Sequence, residues 1–269
     1  MRHDHQHSDG EEHRHGEARI STAEERALLE PFTDDVHAFL RVALDGVDGP
    51  IAEIGAGDGV IADRLRADGF DVTAVDANPA TAAAATGQGR EVLAADWRTW
   101  DGAGRAPFAA LVFTRSLHHI DPIEHATEQM VRLAPGGRLI CDEFGFERVD
   151  EAGAQLLVDA RAIAAAAGVS DKDVVAVADP TAAWTDRMAG NHHVLPSDRL
   201  LGAIREVADI EQLAHGRFIA RFVAQGLDPT HPRAHAVRDL LIATEDARIA
   251  AGGLAPAGLR LVARIRSSA

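Results

Sequence analysis

The chain has 269 residues, 46% of them hydrophobic and 26% charged, which is the composition of a globular protein able to bury a substantial core. Its formal net charge of −15 disfavours nucleic acid phosphates and anionic membrane surfaces as primary partners. No apolar run approaches the roughly 18 residues of a membrane span, and the N-terminus lacks a hydrophobic signal region. We therefore expect a cytoplasmic protein without nucleic acid or membrane partners. The single cysteine, Cys141, excludes an internal disulfide.

Residues 1–18 are polar and histidine-rich, and they show no apolar periodicity. Because such a segment buries too little apolar surface to offset the entropy of ordering it, we predict a disordered tail. Its histidines alternate with other polar residues, a composition that could hold a divalent metal through His3, His5 and His7. The alternative is that the tail is simply solvated.

A single domain is expected over residues 19–269, beginning with a helical segment over 19–49. Ser21 and Glu24 have the spacing of a capping box, and apolar residues follow at helical intervals. Pro31 falls within this pattern, where it would start or kink a helix.

Residues 50–145 alternate between strand and helix patterns. Strands are predicted at 51–54, 71–75, 91–94, 108–113 and 138–142, with helices at 59–68, 79–85 and 122–133. Alternation of this kind indicates an α/β fold with a parallel sheet and helices on both faces. Ligands of such sheets bind at the carboxyl ends of the strands.

The alternation changes after residue 145. Helical patterns dominate residues 146–206, which we interpret as a cap inserted after the fifth strand, and residues 207–269 supply C-terminal strands and helices. Within the cap, Trp184, His192 and His193 are interpreted as the wall of a pocket that encloses a small-molecule substrate.

One stretch, Ile51-Ala-Glu-Ile-Gly-Ala-Gly-Asp-Gly59, predicts a ligand-binding turn between a buried strand and a helix. Its glycines would let a ligand approach the backbone, and the helix would present free N–H groups to it. Asp76 ends the second strand about 20 residues beyond Gly55, where a carboxylate can accept the hydroxyls of a ribose. The pattern therefore predicts a nucleoside ligand.

The glycine spacing departs from the dinucleotide fingerprint. In that fingerprint the third glycine would stand at position 60, but here Val60 stands there and the glycine comes at 59. Glu53 would also direct a negative charge toward the turn, which suits a cationic amine better than a pyrophosphate. An NAD(P)-dependent oxidoreductase is therefore the less favoured alternative.

Residues 50–145 resemble the class I S-adenosylmethionine (SAM)-dependent methyltransferases of the small-molecule type. The resemblance rests on the glycine turn, on Asp76, on Asp96-Trp97 and on the segment Thr114-Arg-Ser-Leu-His-His-Ile-Asp121. It implies a Rossmann-like seven-stranded sheet, mostly parallel with an antiparallel last strand, and SAM as the cofactor. The implied contacts are to the methionine part of SAM, the ribose, the adenine and the sulfonium, and they involve Glu53, Gly55, Ala56, Gly57, Asp76, Ala77, Asp96, Trp97 and Thr114.

The resemblance also implies the reaction, which is transfer of a methyl group from SAM to an O, N or C nucleophile of a small molecule. His118 and His119 are candidate general bases because histidine titrates near neutral pH. They could instead be structural residues of the cofactor loop. A second alternative is a SAM-binding regulatory or metal-responsive protein that transfers no methyl group.

Overall fold

The computed structural model describes residues 21–170 and 177–267. Its strands are β1 (Ile51–Ile54), β2 (Val72–Asp76), β3 (Leu93–Ala94), β4 (Ala110–Thr114), β5 (Arg138–Phe144), β6 (Ala208–Gly216) and β7 (Gly258–Ile265). They form a seven-stranded sheet in the order β3-β2-β1-β4-β5-β7-β6. Strands β1 to β5 pair in parallel, and β7 runs antiparallel to both β5 and β6. The predicted Rossmann-like sheet with an antiparallel last strand is confirmed. Its third strand is shorter than expected.

The helices are α1 (Ala23–Ala43), α2 (Val60–Ala67), α3 (Pro79–Gly87), α4 (Ile123–Leu133), α5 (Glu151–Ala166), α6 (Pro180–Thr185), α7 (Ser197–Val207), α8 (Ile219–Ala224) and α9 (Ala234–Ala250). Short 3₁₀ helices cover Leu117–His119 and Phe146–Arg148, and a π-helix covers Asp186–Asn191. Among the helices in the described ranges, none is long and apolar enough to cross a membrane.

Both faces of the sheet are covered by helices. On one face, Ala52 and Ile54 lie in a core with α4 and α7, and on the other, Ile51 lies in a core with α1, α2 and α3. This follows from the period-2 alternation of a strand, which sends successive side chains to opposite faces. Cys141 belongs to the first core, and burial raises the pKa of its thiol well above the usual value.

Helix α1 begins one residue later than its sequence pattern suggested. Thr22 is the N-cap, its hydroxyl accepts the Glu25 N–H, and the Glu25 side chain accepts the Thr22 N–H. Two overlapping Ser/Thr-x-x-Glu patterns occur here, and the structure uses the second rather than Ser21 with Glu24.

Pro31 lies inside α1 without ending it. A proline has no N–H, so it cannot donate to the carbonyl four residues earlier, which is that of Ala27. The Arg238 guanidinium of α9 donates there instead, at 3.3 Å to the Ala27 carbonyl and 3.0 Å to the Leu28 carbonyl. Helix α1 therefore remains one element, and its second half reaches the carboxyl ends of the strands.

The helical segment predicted over 146–206 divides between two layers. Helix α7 packs with α4 against the sheet, through Leu200 and Ile204. Helices α5 and α6 pack instead with α8, where Trp184 meets Phe218 and Phe222 edge-on. A further apolar cluster joins α8 and α9 to the first half of α1.

Candidate active site

The glycine turn joins β1 to α2 at the carboxyl edge of the sheet. Gly55, Gly57 and Gly59 have φ values of +70°, +58° and +75°, a region that favours glycine. A Cβ at Gly55 would lie 2.4 Å from the Ser116 Cβ, and one at Gly59 would lie 2.7 Å from a Val92 methyl carbon. A Cβ at Gly57 would meet no atom within 4 Å. Gly55 and Gly59 are therefore required by close packing, whereas Gly57 borders open space into which a ligand can approach.

Asp76 lies directly beside this turn. Its Oδ2 accepts the Gly57 N–H at 2.8 Å, and its Oδ1 accepts the Asn78 N–H at 2.8 Å. The carboxylate is half-buried, and its two backbone donors fix its orientation. Each carboxylate oxygen has further lone pairs, so Asp76 can still accept hydroxyl groups of a ribose. Ala77 follows it and is exposed.

Glu53 is a buried acid within β1, 1% exposed. Its Oε1 accepts the Thr114 hydroxyl at 3.1 Å, while its Oε2 is buried and has no hydrogen-bond partner in the described part of the chain. Burial raises the pKa of this carboxyl to about 7, and the hydrogen bond from Thr114 opposes that rise. An unpartnered buried carboxylate oxygen fits a ligand that brings a cationic amine, as the methionine part of SAM does.

Asp96 and Trp97, the predicted adenine contacts, are both engaged with neighbouring side chains. The Asp96 carboxylate pairs with Arg98 at 2.6 Å, and the hydrogen bond from Arg98 lowers the pKa of Asp96. Trp97 is 4% exposed, with its ring 5.6 Å from that of Phe113 and 6.3 Å from that of Trp100. Its ring fills the core between the sheet and α4, so it presents no open face to an adenine in this conformation.

The segment after β4 is held by an acid that the sequence patterns did not single out. Glu143, in β5, accepts the N–H groups of Ser116 at 2.9 Å and Leu117 at 2.7 Å. Its other oxygen lies 2.5 Å from the His118 Nδ1, and both side chains are almost fully buried. Its only sequence signal is its place at the carboxyl end of a predicted strand.

These contacts separate the two histidines. His118 is locked into the buried pair with Glu143 and supports the loop. His119 is exposed, and its ring centre lies 4.1 Å from that of His118. Of the two predicted bases, His119 is the one accessible to a ligand.

A cavity of about 280 Å³ lies at the carboxyl ends of the strands, beside this segment. Helix α1 contributes Asp35 to its wall, the segment after β4 contributes Arg115, β5 contributes Asp142, and β7 contributes Arg260. Arg217, just before α8, closes a further side of the cavity.

The predicted pocket wall does not line this cavity. Trp184 is buried within the α5–α6–α8 cluster, and its indole N–H donates to the Phe146 carbonyl at 2.8 Å. His192 is half-buried and His193 is exposed, both beyond the π-helix. An indole packs in the apolar layer between helices because burial of its large ring removes much apolar surface from water. Sequence pattern alone could not distinguish that position from a pocket wall.

The predicted metal ligands His3, His5 and His7 lie outside the described residues. Over residues 21–170 and 177–267, no three His, Cys, Asp or Glu side chains are grouped so as to hold a metal ion.

The sheet topology, the glycine turn and Asp76 define a class I SAM-dependent methyltransferase. Residues 23–201 match the family described as "Methyltransferase domain", and the chain belongs to that family. It is an enzyme of methyl transfer, and its cofactor is S-adenosylmethionine. Family membership favours methyl transfer over the oxidoreductase alternative. No curated protein sequence matches the chain significantly.

Several solved structures share the fold. An S-adenosylmethionine-dependent methyltransferase from Mesorhizobium loti is 18% identical, with a TM-score of 0.52 over 86% of this chain and 99% of that chain. Geranyl diphosphate C-methyltransferase from Streptomyces coelicolor A3(2) is 12% identical, with a TM-score of 0.54 over 93% and 86%. The [4+2]-cyclase SpnF is 16% identical, with a TM-score of 0.54 over 94% and 88%. Because the last is named for another reaction, the shared fold by itself does not define a substrate.

Proposed function

We propose that this enzyme methylates an O, N or C nucleophile of a small molecule. The observation that carries the proposal is the cavity of about 280 Å³ beside the segment after β4, roofed by α1 and the start of α8. Its volume is just below the usual range of small-ligand sites, about 300–1,000 Å³, so it suits an acceptor of small size. The net charge of −15 also argues against a nucleic acid acceptor.

Cofactor binding is assigned to the turn and its neighbours. Asp76 would hold the ribose hydroxyls, Glu53 the amine, and Gly55 and Gly57 the methionine part. SAM supplies an activated methyl group on a sulfonium, so the protein's task is to hold a nucleophile in line and to accept a proton where the nucleophile carries one. Correct positioning can lower the barrier by about 7–11 kcal/mol in favourable cases.

The chain's own groups serve positioning and proton transfer. Glu143 fixes the backbone of Ser116 and Leu117 and holds His118, so the loop presents a constant surface to both ligands. His119 is our candidate base, because it is the exposed member of the histidine pair and an imidazole nitrogen can accept a proton. Helix α1 excludes water from one side of the cavity.

The test is transfer of labelled methyl from SAM into separated fractions of a cell extract. We expect label in the low-molecular-weight fraction, dependent on the enzyme and reduced by Asp76→Ala. Label confined to protein or nucleic acid would overturn the small-molecule proposal.

A further inference from the structure

Six charged side chains form an alternating chain along the wall of the cavity. In order they are Asp246 of α9, Arg217, Asp35 of α1, Arg260 of β7, Asp142 of β5 and Arg115. The closest N–O distances between successive members are 2.7, 3.2, 2.9, 3.0 and 3.7 Å. This row of charges joins six separate parts of the fold, and it ends at Arg115 in the segment after β4.

Arg115 lies at the end of this row of charged side chains and makes the weakest ion pair in it. Its Nη1 lies 3.7 Å from the Asp142 Oδ2, beyond hydrogen-bond distance, and Arg260 already donates to the other Asp142 oxygen at 3.0 Å. Within the described part of the chain Asp142 is its one ionic neighbour, although the Arg115 side chain is only 22% exposed. A guanidinium has five N–H donors, so this one retains the capacity to bind a ligand.

The backbone of Arg115 is held in a conformation that an arginine rarely adopts. Its φ is +56°, and its N–H donates to the Asp142 carbonyl at 2.7 Å. Such a conformation costs about 1–3 kcal/mol and persists only where the surroundings enforce it, which is most often at ligand sites. Its neighbours Thr114 and Ser116 bond to Glu53 and to the Ile54 carbonyl, respectively. Arg115 thus lies where the cofactor turn meets the cavity.

The charges of the wall favour an anion over a cation. Asp35, Asp142 and Asp246 are each engaged by an arginine, so a cationic ligand would have to displace one of them. Glu143 is engaged by His118 and two backbone N–H groups. The fork of a guanidinium matches a carboxylate or a phosphate in a bidentate geometry.

We propose that the cavity recognises a methyl acceptor that carries an oxyanion, a carboxylate or a phosphate, and that Arg115 binds this group. The oxyanion anchors one end of the acceptor at Arg115. The nucleophile of the acceptor is thereby directed toward the glycine turn that would hold SAM. This inference rests on the proposed function, since it names the substrate class of that same cavity.

The experiment is calorimetry with three probes, succinate, inorganic phosphate and the uncharged succinamide, at constant ionic strength and with saturating S-adenosylhomocysteine. We expect saturable binding of succinate, phosphate or both, and none of succinamide. Binding of succinate alone identifies a carboxylate acceptor, and binding of phosphate alone a phosphorylated one. Absence of binding by both anions, or succinamide binding as tightly as succinate, would overturn the proposal.

Substitutions of Arg115 test whether this residue binds the anion. Arg115→Gln should weaken anion binding at least about tenfold, consistent with loss of a charge-assisted bond, and Arg115→Lys should retain part of it. Arg115→Gly provides a second test, because glycine accepts the left-handed backbone while removing the guanidinium. The matched control is Arg199→Gln, which removes an exposed arginine paired with Glu124 on α4. Unchanged anion binding in Arg115→Gln and Arg115→Gly would refute the assignment.

The affinity for S-adenosylhomocysteine distinguishes failure of the proposed function from failure of the proposed acceptor class. Each Arg115 variant should bind it within about twofold of the wild type, since no described contact joins the guanidinium to Glu53 or Asp76. If the wild type fails to bind S-adenosylhomocysteine, the proposed function fails. If it binds normally while no anion binds, only the acceptor class is wrong.

Discussion

Protonation of Glu53 should be measurable as a pH dependence of stability. Burial raises the pKa of its carboxyl from 4.5 to about 7, and each pKa unit corresponds to about 1.4 kcal/mol. The folded protein therefore holds this proton more tightly than the unfolded chain does. The resulting stabilisation is fully present below pH 4.5 and is lost as the pH rises to about 7, which amounts to about 3 kcal/mol.

Glu53→Gln removes this titration while conserving the size of the side chain. We expect the free energy of unfolding of the wild type to fall by about 3 kcal/mol more than that of the variant between pH 4.5 and about pH 8. The comparison must be a difference, because burial also raises the pKa of Glu245 and that residue contributes with the same sign in both proteins. Urea unfolding followed by tryptophan fluorescence provides the measurement.

Cofactor binding should show the complementary dependence. If the ionised carboxylate receives the amine, S-adenosylhomocysteine should bind the wild type about tenfold more weakly at pH 6 than at pH 8, because Glu53 is then mostly protonated. The affinity of Glu53→Gln should not change with pH in this way. The affinity of Glu128→Gln, a control substitution at an exposed site, should change as that of the wild type does. Parallel pH profiles of the wild type and Glu53→Gln, in both assays, would refute the reasoning.

Three further substitutions test the supports of the site. Gly55→Ala places a Cβ 2.4 Å from that of Ser116, so it should unfold at lower urea than Gly57→Ala, whose Cβ meets no atom within 4 Å; equal midpoints would contradict the packing argument. Glu245→Gln replaces a buried carboxylate that accepts three backbone N–H groups at the start of α8, and it should lower the free energy of unfolding by about 1–3 kcal/mol. Arg238→Ala leaves the Ala27 carbonyl, which Pro31 cannot serve, without its donor and should lower the free energy of unfolding by a similar amount in the same urea assay; a loss below about 0.5 kcal/mol in either variant would be inconsistent with these roles.

The sheet could be predicted from the sequence because its information is local. Strands β1 and β2 each end in a polar or glycine-rich turn, and a helix follows within a few residues, so the alternation is visible within short windows. Boundaries were less certain where two patterns compete. Ser21 and Thr22 each precede a glutamate by three residues, and the structure uses Thr22 as the cap.

The geometry of the glycine turn was also predictable, whereas the cavity was not. Gly55, Gly57 and Asp76 carry a short-range signal, because one turn and the adjacent strand end form the cradle. The charged wall brings together Asp35, Arg115 and Arg260 from distant parts of the chain, and no local pattern marks them. A tryptophan such as Trp97 gives no indication from sequence whether its ring covers a ligand or fills the core, and here it fills the core.

The most direct test of the cofactor cradle is titration calorimetry of S-adenosylhomocysteine into the wild type, Asp76→Ala and Asp76→Asn. Charge-assisted bonds to the ribose contribute about 1.5–3 kcal/mol each, so Asp76→Ala should bind at least about tenfold more weakly than the wild type. Asp76→Asn has a single acceptor oxygen, so it can keep the bond from the Gly57 N–H but not also the one from the Asn78 N–H, and it should disturb the turn less than Asp76→Ala while still losing affinity. Saturable wild-type binding that weakens in both variants is the expected result. An absence of wild-type binding, or Asp76→Ala binding as tightly as the wild type, would contradict the account.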